Sequence, residues 1–354
     1  RVLFRSGIGM GDKPVRDKLK GVTNGIALLR AYSRGFPGVY SDPEEREKFL
    51  DIMDYTVGMD AAADNGWMDE GKGKLVIPFK NIEMLFPGAQ PGPAQRRGDC
   101  VSHSSANAAE ITLAADIVSC EPDEETGKIE GAPEISAEGI KQGVLSTEAI
   151  YWWRGHSGDG WSCSHAGRVM CQESGMWIRK DYPEFGFDLT SYSSRLAGKW
   201  GRSEPPKEIK DFGMKHRIRQ ATELDSFEEV RDFLYQGYGV STCGGEGWSS
   251  SRDKNGFSKR RGSWSHAMAY IGADDRDVIK EKYGEPLVLI MNSWGHWNSG
   301  GTRILNTTMD IPAGSFWAKW SDCKRRYMVA YSGADGWPAR KLPDWGADYW
   351  SRLK

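Results

Sequence analysis

Pro286-Leu-Val-Leu-Ile-Met291-Asn292-Ser-Trp294-Gly295 decides how this chain reads. Five apolar residues after a proline predict a buried strand, and that strand delivers an amide and an indole to its end. Ser265-His266-Ala-Met-Ala-Tyr-Ile271 precedes it as a second strand-like run with a histidine at its start. Earlier still, Gln95-Arg-Arg-Gly98-Asp99-Cys100 leads into an Ala-rich stretch. There Ala106, Ala109, Ile111, Leu113, Ala114 and Ile117 recur at helical spacing, predicting a buried helix over 101–120 with Cys100 at its N-terminus. The order Cys, His, Asn is that of a nucleophilic thiol, a base to ionise it and an amide to orient the base.

Only the thiolate attacks a carbonyl well, so such a site has to activate Cys100. The sequence offers two means, the partial positive charge of the helix N-terminus and an imidazolium at His266. Asn292 is the candidate to hold the imidazole, and Trp294 to cover that bond from water. The backbone N–H of Cys100 and the side-chain amide of Gln95 are the candidate oxyanion donors, each worth about 3 kcal/mol of barrier. Asp99 works the other way, because a carboxylate beside the thiol raises its pKa unless it points away.

Gln-x-x-Gly-x-Cys, Ser-His-Ala-Met-Ala-Tyr-Ile-Gly and Met-Asn-Ser-Trp-Gly-x-Trp-x-x-Gly-Gly together resemble the papain-like cysteine peptidases over roughly residues 80–330. Gly98-Asp99-Cys100-Val101-Ser102 is similar to the divergent bacterial and bacteriophage members. The resemblance implies an α+β, two-lobed fold, with a helical left lobe, a β-barrel-like right lobe and the active-site cleft between them. It also implies catalytic roles for Cys100, His266, Asn292 and Gln95. Gly158-Asp-Gly160-Trp161 falls where the family has a Gly-rich wall that pairs with an extended substrate, so Gly158, Gly160, Trp161 and Trp294 are the expected substrate-binding residues. Gln95 stands five positions before the nucleophile where the family usually has six, and Arg97 replaces a cysteine of the usual left-lobe disulfide.

Composition narrows the function classes. The 354 residues carry a net charge of -2, which gives no field to gather nucleic acid or a membrane surface. The basic clusters Lys259-Arg-Arg261 and Lys324-Arg-Arg326 read as solvated faces. No apolar run approaches the roughly 20 residues of a membrane helix. Arg1-Val-Leu-Phe-Arg-Ser6 lacks the apolar core of a signal peptide, so the expected location is cytoplasmic or virion-associated. Six cysteines are too few and too scattered for a disulfide framework, and most are expected to be reduced or buried. His156, Cys163, His165 and Cys171 match no zinc spacing, and no metal or cofactor is expected. His103, three residues after Cys100, is expected to pack or bond locally.

Four segments are expected: an N-terminal helical extension over 1–79 serving as pro-segment or docking arm, a left helical lobe over 80–205, a right β-rich lobe over 206–335, and a tail over 336–354. In the first, the capping box Ser41-Asp-Pro-Glu44 followed by Phe49, Leu50, Met53 and Val57 predicts an amphipathic helix. Leu75–Phe79, Gly239–Cys243, His266–Ile271, Leu287–Met291, Thr302–Leu305 and Phe316–Trp320 are expected strands. The sequence therefore favours a peptidase that acts on a polypeptide and forms an acyl-enzyme. The alternatives are a structural or assembly protein, such as a phage-particle component docking a partner protein, and an amidase or deamidase of cell wall or host protein.

Overall fold

The computed structural model describes residues 66–89, 92–120, 135, 137–323, 326–333, 336–337, 339–340 and 342. The expected helix after Ser41 lies outside the described residues, as does most of the expected tail. Among the described residues the fold is a helical lobe packed on a curled antiparallel half-barrel.

The helical lobe holds α1 (Phe79–Leu85), α2 (Cys100–Ser119), α3 (Ala137–Ile140), α4 (Thr147–Tyr151), α5 (Cys163–Gln172), α6 (Ser194–Trp200) and α7 (Lys207–Gly213). A short hairpin, Asp181–Tyr182 with Phe187–Asp188, is set among them. The half-barrel holds β1 (Leu75–Val76), β2 (Ala221–Leu224), β3 (Val240–Arg252), β4 (Ser258–Asp274), β5 (Leu287–Met291), β6 (Ser315–Lys319) and β7 (Tyr327–Tyr331). Its strands run in the order β2-β7-β3-β4-β5-β6, with β1 pairing on β4 through Leu75↔Asp274.

Both faces of this sheet are buried, which is why its strands read as continuous apolar runs. Along β4, Ala267, Ala269 and Ile271 face the helical lobe, whereas Met268 and Tyr270 face the opposite core with α8 (Phe227–Tyr235) and Trp67. The same alternation holds in β5, where Leu287, Leu289 and Met291 oppose Val288 and Ile290. Ser226 and Glu229 close α8 with the reciprocal capping bonds the sequence signals.

Helix α2 runs between the lobes and is buried along nearly its whole length. Small side chains allow that. A Cβ on Gly239 of the adjoining turn would lie 2.0 Å from the carbonyl oxygen of Ala108, so glycine there lets sheet and helix backbones touch. Several polar residues of α2 are bonded: Ser105 to the Tyr331 hydroxyl at 2.9 Å and Thr112 to the Tyr331 carbonyl at 2.9 Å across the interface, and Glu110 to the amides of Val144 and Leu145 at 2.9 and 2.8 Å within the helical lobe. Burial raises the Glu110 carboxyl to about 7 against those amides.

Several expectations are corrected. Of the expected N-terminal extension, residues 66–79 pack on the sheet lobe: Trp67 is fully buried against Phe233 and Tyr238, and the amides of Asp69 and Gly71 donate to Asp232. The strand expected over Leu75–Phe79 stops at Val76, because Phe79 begins α1. Thr302–Leu305 makes one bridge, Arg303↔Asp310, and no strand. Trp337 packs on Phe233 and Tyr238, so the chain just past 335 still belongs to the sheet lobe.

Candidate active site

Strand pairing fixes the base. His266 lies in β4 opposite Gly244 of β3, and its Nε2 stands 2.8 Å from Asn292 Oδ1 at the end of β5. With that oxygen accepting, Nε2 carries the proton and Nδ1 is left as the basic nitrogen. Trp294 stacks on the imidazole at 4.6 Å and 29°, Trp264 lies edge-on to the imidazole, and Trp297 lies edge-on to Trp294. The indoles keep water from the His266–Asn292 bond.

The helix fixes the thiol. Cys100 is the first residue of α2, and the backbone of Ala267, the residue after His266, lies near enough to lower the pKa of its thiol. Cys100 and His266 are thereby brought to the same place from the two lobes. The expected depression of the thiol pKa is not found. Burial pushes Cys100 up to about 11, the charge of Asp99 adds to that, and the amides of Ala267, Val101 and Cys100 itself oppose it. Burial likewise lowers His266 to about 4, opposed by the bond to Asn292 and assisted by Arg326 and His103. Burial thus favours the neutral thiol and the neutral imidazole over a preformed ion pair.

Asp99 does not cap the helix with its side chain. Its carboxylate is fully buried, takes the Tyr192 hydroxyl at 2.7 Å and lies 3.6 Å from His103 Nε2. The His103 ring lies edge-on to Tyr192. Asp99→Asn keeps an acceptor for Tyr192 while removing the charge. The expected result is faster alkylation of Cys100 at neutral pH, with the midpoint of the rate-versus-pH curve moved down. An unchanged curve means that the thiol does not sense Asp99.

Gln95 lies beside the site. Its backbone N–H donates to the Ser293 carbonyl at 2.7 Å and its Oε1 accepts from the Ser293 hydroxyl, one residue from Asn292. One hydrogen of its side-chain amide goes to the Arg97 carbonyl at 2.8 Å.

The Gly-rich segment is tied to the nucleophile loop. Gly160 N–H donates to the Gly98 carbonyl at 2.8 Å, and Arg97 pairs with Asp159 at 2.6 Å. A Cβ on Gly98 would lie 2.6 Å from that of Asp159, so the close approach requires glycine. Gly158 is exposed at this junction, whereas Gly160 is buried. The Trp161 side chain does not line an open wall: it is 1% exposed and its indole donates to His165 Nδ1 at 3.1 Å.

Two features lie outside the sequence expectations. Cys163 of α5 and Cys243 of β3 form a disulfide across the lobes, so the cysteines are not all thiols. Cys243 sits opposite Ala267 in the sheet. Arg326, expected on a solvated face, is 1% exposed and bonded beneath His266. Among the described residues no group of three His, Cys, Asp or Glu side chains could hold a metal ion, and no helix is long and apolar enough to cross a membrane.

No family model matches the chain, and no curated protein matches it. Similar solved structures include xylellain, a cysteine protease from Xylella fastidiosa, with 17% identity, 73% of this chain and 86% of that one covered, and a TM-score of 0.44. Digestive procathepsin L 3 of Tenebrio molitor larval midgut shows 12% identity over 91% of this chain and 100% of its own, at 0.41. The cysteine protease and lectin-like domains of Cwp84, a surface layer associated protein of Clostridium difficile, show 18% identity over 78% and 59%, at 0.40. These similarities are to papain-like cysteine proteases, the family that the three sequence segments resemble.

Proposed function

We propose that this chain is a cysteine-type peptidase that hydrolyses peptide bonds through Cys100, His266 and Asn292. The observation that carries the reading is the meeting of the two lobes: Cys100, first residue of α2, lies near the backbone beside His266, whose ring is held at 2.8 Å by Asn292.

The chemistry follows from the neutral pair that burial favours. A peptide carbonyl placed over Cys100 is attacked by sulfur as Nδ1 of His266 takes the thiol proton. Oxyanion charge falls to the backbone N–H of Cys100 and the side-chain amide of Gln95. Collapse breaks the C–N bond, and the imidazolium gives its proton to the leaving amine. Water then attacks the thioester with His266 again as base, releasing the carboxylic acid and restoring the thiol. Asn292 keeps the ring in one tautomer throughout, and no step calls on a cofactor.

One observation favours a second reading, a structural or assembly protein that keeps this geometry without turnover. Cys100 is 5% exposed, and a thiol raised by burial is inert until something lowers its pKa. Digestion of an unfolded polypeptide mixture, followed by mass spectrometry of new termini, separates the two. Peptidase action yields a reproducible set of cleavage sites. Absence of new termini at any pH between 5 and 9 favours the second reading.

A further inference from the structure

Arg326 is a cation in an unusual place. It stands just before β7, is fully enclosed, and spends its guanidinium on three acceptors from two strands. Nε donates to Thr242 Oγ1 at 3.0 Å, Nη1 to Glu246 Oε2 at 3.3 Å, and Nη2 to the His266 carbonyl at 3.0 Å. The guanidinium carbon also lies 5.3 Å from the centre of the Trp248 ring. Room for it comes from Gly244, the residue opposite His266: a Cβ there would fall 2.7 Å from Arg326 Cγ and 2.9 Å from Cζ. β3 shifts register between Gly244 and Glu246, which brings the carboxylate round to the guanidinium.

We propose that Arg326 is a positioning residue for His266, fixing by its bond to the His266 carbonyl the direction in which the imidazole leaves β4. The inference rests on the reading of His266 as the base. A planar guanidinium spanning Thr242, Glu246 and the His266 carbonyl locks β3 to β4 at the ladder position from which His266 projects. Asn292 holds the tip of the ring and Arg326 holds its root.

The same cation bears on the charge of the ring. The titratable or charged groups acting on His266 are Arg326 below it and His103 of α2; Asn292 bonds it without charge, and Cys100 starts the facing helix. Burial disfavours the imidazolium most, and the Arg326 charge adds to that.

Two variants separate geometry from charge. Arg326→Met removes both, and Arg326→Lys keeps the charge but cannot span three acceptors in one plane. The expected outcome is kcat lower by about 10²-fold in each, with KM little changed, because a base misdirected by about 1 Å loses that much. Ring-nitrogen NMR of His266 should titrate at higher pH in Arg326→Met and near the parent value in Arg326→Lys. The NMR titration needs no turnover, so it decides the inference even if the parent protein hydrolyses nothing. If Arg326→Met does not fold, Arg326→Lys decides it by kcat and by the chemical shift of the His266 ring. Parent-like values of both in Arg326→Lys, or an unmoved titration in folded Arg326→Met, would overturn the proposal.

Discussion

Cys100→Ala and His266→Ala are each expected to lower the proposed peptide hydrolysis by about 10⁴-fold or more, with the double variant no slower than either single one. The reason is that the two side chains act in one step. Sulfur cannot attack while it holds its proton, and the imidazole has nothing to activate once the sulfur is gone. Burial sharpens the dependence. With the thiol pushed up to about 11 and the imidazole down to about 4, the thiolate available without His266 is minute. Asn292→Ala is milder, about 10²-fold, because the ring stays in place against Trp294 but loses its fixed tautomer. Cys100→Ala removes one buried atom and leaves near-ultraviolet circular dichroism unchanged. Steady-state kinetics on a peptide found by digestion make the check, and hydrolysis persisting in Cys100→Ala would remove the assignment.

Cys163→Ser with Cys243→Ser destabilises the protein by about 4 kcal/mol in urea denaturation. The bridge closes a loop with a sequence separation of 80 and joins α5 of the helical lobe to β3 of the sheet lobe. Without it the unfolded chain gains the freedom of that loop, whereas the folded chain loses only one contact. The position adds a second effect. Cys243 pairs in the sheet with Ala267, whose backbone lies near the Cys100 thiol, so loosening β3 at this point loosens the site. The serine pair is expected to lose activity at a lower urea concentration than it loses helical signal. Treating the parent protein with a thiol reductant should reproduce the shift in stability, and equal stability of the reduced and oxidised forms contradicts it.

How much of this was legible in the sequence depends on which physical signal each element carries. β5 and the inner half of β4 announce themselves as apolar runs bounded by Gly or Pro. The outer half of β4 does not: Lys259, Arg260 and Arg261 are exposed, and only pairing with β3 extends the strand back to Ser258. Tyr327–Tyr331 carries the same apolar signal as β5 yet was not among the expected strands. The start of α2 could be placed to within a residue, since it is written in local chemistry.

The site divides in the same way. Cys100, His266 and Asn292 were visible through their order and contexts, and Gln95 is brought to Ser293 as a neighbour of that group. The raised thiol pKa was not visible, because burial from every side is a tertiary property that outweighs the helix terminus. Arg326 was hidden in a basic run that composition assigns to solvent, and its role depends on a glycine 82 positions earlier, Gly244, making room for it. The Cys163–Cys243 bridge was hidden because pairing depends on which strand lies beside which helix. Trp161 was misassigned for a related reason: its backbone neighbours border the nucleophile loop while its side chain turns inward.

The central claim is that Cys100 becomes a nucleophile in a site built with His266 and Asn292, and intact-mass measurement after incubation with an epoxysuccinyl peptide tests it most directly. The account predicts one adduct per chain, absent in Cys100→Ala and slowed strongly in His266→Ala, where the thiol keeps its proton. An unmodified parent mass, or an adduct that survives in Cys100→Ala, would contradict it.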